Sequence, residues 1–255
     1  MASAAPANLP LLYNDLVPLN TEQHGTWNYR EVQGAPEFAK VHAVPITADE
    51  FVQAQHSLPI VFAAGGDPIP LALMGLNEGV NVLIDEEGKL RGSSYVPAYV
   101  RRYPWMLARL RPETEELSLC FDPTFGAVGD FPEGDPIFVD GQPSEIVKNV
   151  LTFCEQFEQA AARTGQFIED IKASGLLMDG EMSVQPDGAP QPFIYRGFLM
   201  VNEEKLREVR GDTLRKWNQN GFLALIYAHL FSLNNMRDIF QKQMQLGLMP
   251  EPTLA

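Results

Sequence analysis

Positive charge is what this chain has least of. It carries 19 lysines and arginines against 33 aspartates and glutamates, a formal net charge of −14 over 255 residues. Binding a nucleic-acid backbone needs a positive field to offset the phosphates, and docking on an anionic membrane surface needs the same. Neither is expected, and acidity of this size is best read as an aid to solubility. Cysteine is scarce too. Cys120 and Cys154 are too few for a disulfide framework and lack the C-x-x-C spacing of a metal or redox site. Cys154, set among Leu151, Phe153 and Phe157, reads as a small core hydrophobe. Long apolar runs are missing as well. The longest, residues 222–233, contains His229 and Ser232 and falls far short of the roughly 20 residues a membrane span needs. The first residues have no basic stretch, and prolines break any apolar one, so no signal peptide is expected. These absences predict a soluble, cytoplasmic protein without membrane insertion.

What is present is ordinary globular composition, 45% hydrophobic and 20% charged, long enough to bury a substantial core. The most informative stretch is residues 41–62, VHAVPITADEFVQAQHSLPIVF. A strand over 40–46 runs into a capping box, Thr47 as N-cap and Glu50 three residues on. A short helix and a second strand over 58–63 complete a β–α–β segment. Residues 1–23 read as an extended arm with apolar anchors, 24–30 as an edge strand, and 71–76 and 80–85 as further strands. The last of these turns through Gly88 and returns at Leu90. Closely spaced short strands point to an antiparallel sheet.

Pro97 opens a helix expected to reach about residue 102, and Pro104 interrupts or restarts it. A strand over 117–121 follows, then a Gly-, Pro- and Asp-rich ordered loop over 122–142 with a small hairpin. Residues 144–174 carry apolar side chains at three- and four-residue spacing, from Ile146 and Val150 to Ile168 and Ile171, with Ser144 as cap and Gly175 as stop. That predicts one long helix, with Gly165 marking a bend or a junction of two. Residues 182–191 read as a turn and 193–201 as a strand. Asn202 caps a helix over 203–209, Asp212 one over 213–220 that Gly221 ends, and 234–246 forms the last. For 222–231 periodicity leaves helix and strand both open. The expected fold is α+β: a mixed, mainly antiparallel sheet, one long helix and a helical C-terminal subdomain, as a single domain over 24–246 with a tail over 247–255.

Several segments together resemble one bacterial family, the SapC-like proteins, named for a gene product associated with surface-layer export and serum resistance. They are His42-Ala43-Val44-Pro45-Ile46 with Glu50-Phe51, Leu58-Pro59-Ile60-Val61-Phe62, and the run from Tyr95 through Val96-Pro97-Ala98-Tyr99-Val100-Arg101-Arg102-Tyr103-Pro104-Trp105. Gly175-Leu176-Leu177, Gly197-Phe198, Asn202-Glu203-Glu204-Lys205-Leu206 and Leu225-Ile226-Tyr227-Ala228-His229-Leu230-Phe231-Ser232-Leu233 complete the set. The resemblance spans roughly residues 24–246. It implies no catalytic residues to carry over and is distinct from the peptide-transporter permease of similar name. Such families sit near genes for outer-membrane receptors, flavin-dependent halogenase-like proteins and cupin-like proteins, which implies protein partners among surface-export, receptor or flavoprotein components.

Candidate sites are few. The histidines are His24, His42, His56 and His229, with no H-x-E-x-H or HExxH spacing. His24 and His42, on neighbouring expected strands, would with Asp49 or Glu50 make a two-histidine, one-carboxylate iron set. Glu50 is better explained by the capping box. His229 reads as a core histidine with hydrogen-bonded ring nitrogens, and Ser232 lacks a GxSxG context. Tyr99, Arg101, Arg102, Tyr103 and Trp105 place two guanidinium forks and three aromatic rings in one short stretch. That suits a peptide carboxylate or a flavin-like ring, or else an internal ion pair supporting a buried helix. The carboxylates of the 122–140 loop do not follow a calcium-loop pattern, and its glycines make no dinucleotide fingerprint. No cofactor is expected and no metal is assigned. Two readings stay open: a non-catalytic binding or accessory protein holding its ligand through Arg101, Arg102, Tyr99, Tyr103, Trp105, His42 and His229, or a metal-dependent or peptide-modifying enzyme using His24, His42 and His229 with the arginine region.

Overall fold

The structure, a computed structural model, describes residues 9–111, 113, 114, 116–185 and 191–249. In chain order the elements begin with β1 (Val17–Pro18), α1 (Thr21–His24), β2 (Asn28–Tyr29), β3 (Ala43–Pro45), α2 (Phe51–Ala54), β4 (Ile60–Ala63) and β5 (Pro70–Leu73). Then come α3 (Ala98–Arg102), β6 (Trp105–Arg109), β7 (Leu117–Phe121), β8 (Val128–Gly129), β9 (Asp135–Pro136), β10 (Phe138–Val139) and β11 (Gln142–Pro143). The chain ends with α4 (Glu145–Ser174), β12 (Leu177–Val184), β13 (Phe193–Val201), α5 (Glu203–Arg207), α6 (Gly211–Asn220), α7 (Phe222–Ser232) and α8 (Asn235–Gln245). The fold is α+β, and every strand pairing among the described residues is antiparallel.

The chain divides into two compact units, each built from separated stretches: residues up to Ala35 with Tyr99–Gln159, and Pro36–Ala98 with residues from Ala160 on. The second boundary falls inside α4, whose apolar spacing runs on unbroken, so local sequence carries no trace of it. Gly165 leaves the helix intact.

In the first unit, β7 pairs with both β1 and β6, and β2 lies between β8 and β9. Trp105, Leu107, Phe121, Val128, Ile137 and Phe138 form its core with Val147 and Cys154 of α4. Residues 9–23 take part in this unit, because Val17 pairs with Phe121 and Tyr13 is buried. His24 is not on the expected strand. Asn20 accepts hydrogen bonds from the amides of Glu22 and Gln23, capping a helical turn that ends at His24 and leaves only Asn28–Tyr29 as strand. The hairpin expected within 122–142 is β10–β11. Ser144 sits before α4, but its buried Oγ meets no partner among the described residues, so the hydroxyl does not cap.

The second unit holds a five-stranded sheet in the order β12-β13-β4-β5-β3. The segment expected as β–α–β is there with one change: β5 inserts between β3 and β4 and runs antiparallel to both. On one face Val44, Ala72, Ile60 and Phe62 are fully buried. Phe62 lies 6.5 Å from the Phe167 ring of α4 and 4.9 Å from the His229 ring of α7, and Phe167 in turn meets Phe51 and Phe222. Residues 222–231, ambiguous by periodicity, are helical as part of α7, which is apolar nearly all round and packs against this core.

The strand expected over 80–85 reduces to one bridge between Ile84 and Leu90. Asn81 replaces the ladder: its amide donates to the carbonyls of Phe38 and Val41 and accepts from the amides of Leu83 and Ile84. β12 runs through residues expected to begin a turn, and the remainder of that turn, 186–190, lies outside the described residues. Asn202 caps α5 as expected, accepting from the Lys205 amide. Asp212 instead lies in the first turn of α6, after Arg210.

Candidate ligand site around Arg102

The aromatic and arginine run from Tyr99 to Trp105 crosses from α3 to β6 in the first unit. Four of its five singled-out side chains turn inward; Arg101 stays exposed, its guanidinium 5.1 Å from the Phe153 ring centre. Trp105 packs on Phe121 and forms part of the core. Tyr103 meets Tyr13 edge-on at 5.1 Å and Phe125 at 4.7 Å. Tyr13 donates to the Trp105 carbonyl and Tyr99 to that of Leu11, each at 2.7 Å. These hydroxyls thereby tie the N-terminal arm to α3 and β6.

Arg102 is the unusual member. Its side chain is only 6% exposed, and its guanidinium carbon lies 4.0 Å from the ring centre of Phe157 and 4.9 Å from that of Tyr99. Aromatic faces attract a cation but do not replace its water. Among the described residues the one carboxylate in ion-pair range is Glu158, 3.6 Å away and 39% exposed. The Arg102 Nε–H is buried and meets no acceptor among the described residues. Burial pushes the Glu158 carboxyl above its usual range, and the charge of Arg102 only partly opposes that rise. A tight ion pair would hold the carboxyl low, so this one is loose. Burial also lifts the neighbouring Cys154 thiol to about 11, the nearby guanidinium again opposing, which leaves it an inert thiol at neutral pH.

The histidines do not assemble. Among the described residues no group of three histidines, cysteines and carboxylates could hold a metal ion. His24, in the first unit, accepts from the Asn20 amide through Nδ1 and packs at a tilt against Trp27, and burial lowers its pKa. His42 and His229 belong to the second. His229 is completely buried; its Nε2 accepts from the Val201 amide at 3.0 Å and its Nδ1 donates to the Ile60 carbonyl at 2.7 Å. Burial holds its pKa down to about 4. Ser232 accepts from the Ile60 amide and donates to the His229 carbonyl. His229 thus bridges β4 to β13 where the strands no longer pair directly, Ser232 ties β4 to the backbone of α7, and both ring nitrogens of His229 are spent on backbone.

Sequence reasoning passed over Phe157 as one more core position of α4 and did not single out Glu158 at all. Their signal was the four-residue step from Phe153 to Phe157, with an acid next to it. Glu50 also does more than close its capping box. Oε2 accepts from the Thr47 amide and hydroxyl, and Oε1 from the Tyr95 hydroxyl and the Ala98 amide.

The sequence model of the SapC family matches residues 19–239. The chain belongs to the SapC family. Neither the curated proteins nor the solved structures contain a match. Among the described residues of this SapC-family protein, no helix is long and apolar enough to cross a membrane.

Proposed function

We propose that this SapC-family protein is a non-catalytic binding protein that takes an anionic, aromatic-bearing ligand such as a peptide carboxylate at Arg102. In this reading it acts in the cytoplasm as an accessory to surface-export or uptake partners. One observation carries it: a buried guanidinium whose Nε–H meets no acceptor among the described residues and whose one ion-pair carboxylate there, Glu158, is loosely held and partly exposed. Stripping water from a cation costs several kcal/mol unless a partner compensates. A carboxylate could complete the fork with two parallel N–H···O bonds, while Phe157 and Tyr99 offer ring faces beside it. Glu158 then acts as the internal competitor that the ligand displaces.

Calorimetric titration of N-acetyl-L-tryptophan against N-acetyl-L-tryptophanamide tests this. Saturable binding of the acid, at least tenfold tighter than the amide and lost in Arg102→Met, is expected. Glu158→Gln should tighten it several-fold, and so should a fall in pH that protonates Glu158, since either removes the competing anion. Acid and amide binding alike, no saturable binding of the acid, or a Glu158→Gln protein that binds it more weakly would each overturn the proposal, whether or not Arg102→Met folds.

A further inference from the structure

The second unit has a separate cavity, of about 120 Å³, over the sheet face opposite the buried one. In register, Pro45, Leu71 and Val61 sit side by side across β3, β5 and β4; Ala43 faces Leu73, and Ala63 faces Phe198. This face is wholly apolar at those positions. Helix α8 covers part of it: Phe240 meets the rings of Phe193 and Tyr195, and Gln243 accepts from the Leu76 amide. The space left is lined by Val61, Ala63, Leu71, Leu73, Phe198 and Met236, with His42, Tyr195 and Arg196 as its polar members.

Gly180 helps create it. The Phe198 ring lies over this glycine so closely that a Cβ there would fall 2.1 Å from Cε2. The ring is therefore drawn onto β12, and Ala63, its partner on β4, is too small to fill what remains. The second observation is Tyr195. Its Oη is buried yet has no hydrogen-bond partner among the described residues. A buried hydroxyl left unmet is costly, so such groups persist where something else meets them. Arg196 does not make the pocket a carboxylate site, because Glu181 already holds it at 2.6 Å and the arginine is largely exposed.

We infer that this cavity binds a neutral molecule about the size of one six-membered ring, whose single carbonyl oxygen accepts a hydrogen bond from Tyr195. An apolar void of roughly 150 Å³ is enough to hold benzene, so the volume suits one ring and excludes larger drug-sized ligands. The apolar lining supplies the affinity and the lone hydroxyl the selectivity. Nothing in this rests on the Arg102 site.

The probe is cyclohexanone, with cyclohexane as the control that lacks an acceptor. Binding is followed by methyl NMR of Val61, Leu71 and Leu73. Saturable shifts at these methyls are expected with both probes. Tyr195→Phe should weaken the ketone about 5- to 10-fold and leave cyclohexane unchanged, whereas Ala63→Leu, which fills the space, should abolish both. In the unaltered protein the bound ketone's carbonyl carbon should move downfield, as a hydrogen-bonded carbonyl does, which needs no variant to fold. Absence of saturable shifts, a carbonyl carbon that stays put, or equal weakening of both probes by Tyr195→Phe would overturn the inference.

Discussion

Acid should weaken this fold through one identifiable ring. His229 is completely buried, with the Val201 amide donating to Nε2 and Nδ1–H donating to Ile60. A second proton would have to enter on Nε2, against that amide and in a buried site. Its pKa is accordingly about 4, against 6.5 for a free side chain. Because the folded value is the lower one, the neutral ring's contribution is fully present above about pH 6.5 and is lost as pH falls toward 4. A gap of 6.5 − 4, about 2.5 pH units, corresponds to about 3 kcal/mol once both states have titrated, and to about 2 kcal/mol at pH 5. No discount for solvent applies to a ring with no exposed surface. The assay is urea unfolding at pH 7.5 and 5.0 for the wild type and for His229→Gln, which removes the titration. Carboxylates and His24 titrate in both proteins, so subtracting one pH-dependent loss from the other isolates His229. The wild type should lose about 2 kcal/mol more than the variant over this interval. Labelled-imidazole NMR checks the cause directly, since the ring should still be neutral at pH 5. A ring that titrates near 6.5, or equal losses in the two proteins, would refute the reasoning.

Two further outcomes follow from buried packing. Glu50→Ala strands the amides of Thr47 and Ala98 together with two hydroxyls, and at about 1.5–3 kcal/mol per bond to a charged acceptor it should cost about 3–5 kcal/mol in denaturant unfolding. The hydroxyls can turn elsewhere, which is why the full sum is not expected; a loss below 1.5 kcal/mol would show that Glu50 does not link these segments. Gly180→Ala should destabilise by about 1–2 kcal/mol by forcing the Phe198 ring aside, and should cost almost nothing in a Phe198→Ala background, as a double-mutant cycle will show.

The parts of the fold written in local chemistry were legible. The Thr47–Glu50 box, the Asn202 cap, the strand over 117–121 and the apolar spacing of α4 each follow from side chains within a few residues of one another. What escaped depends on partners far away in sequence. β12 reads as LMDGEMSV, polar and interrupted by glycine, and becomes a strand because β13 pairs along its whole length. β6 hid behind Pro104, although Trp105 and Leu107 alternate inward as a strand requires. The start at residue 24 missed the Asn20 cap, whose signal lay in the preceding four residues. The division into two units arises from pairings such as Val17 with Phe121, which no window can contain. For the candidate site, the residue types of the 99–105 run were visible, but not that Arg102 would turn inward while Arg101 stayed out. That choice is set by Phe157, on a helix more than fifty residues away.

The segments that carry the family resemblance hold four of the buried polar side chains, Glu50, Arg102, His229 and Ser232, and the half-buried Asn202, and their bonds divide into two kinds. Glu50, His229, Ser232 and Asn202 each hold backbone atoms that no ladder or helix satisfies: Glu50 at Thr47 and Ala98, His229 and Ser232 at Ile60, Asn202 at Lys205. A side chain so engaged cannot be released for chemistry without losing the fold that depends on it, so a motif rich in such residues records architecture. In the 95–105 segment Tyr95 binds Glu50, Tyr99 binds Leu11 and Trp105 receives Tyr13. Arg102 breaks the pattern. Among the described residues its Nε–H meets no acceptor, it is nearly as buried as its neighbours, and its counter-charge is loose. If its role were to support the fold, replacing the guanidinium by an apolar chain of similar length should destabilise; if it serves binding, the replacement should be neutral or stabilising, as it often is for buried ions. The same Arg102→Met protein should then lose its carboxylate ligand while gaining stability, and that opposition is what separates a binding residue from an architectural one.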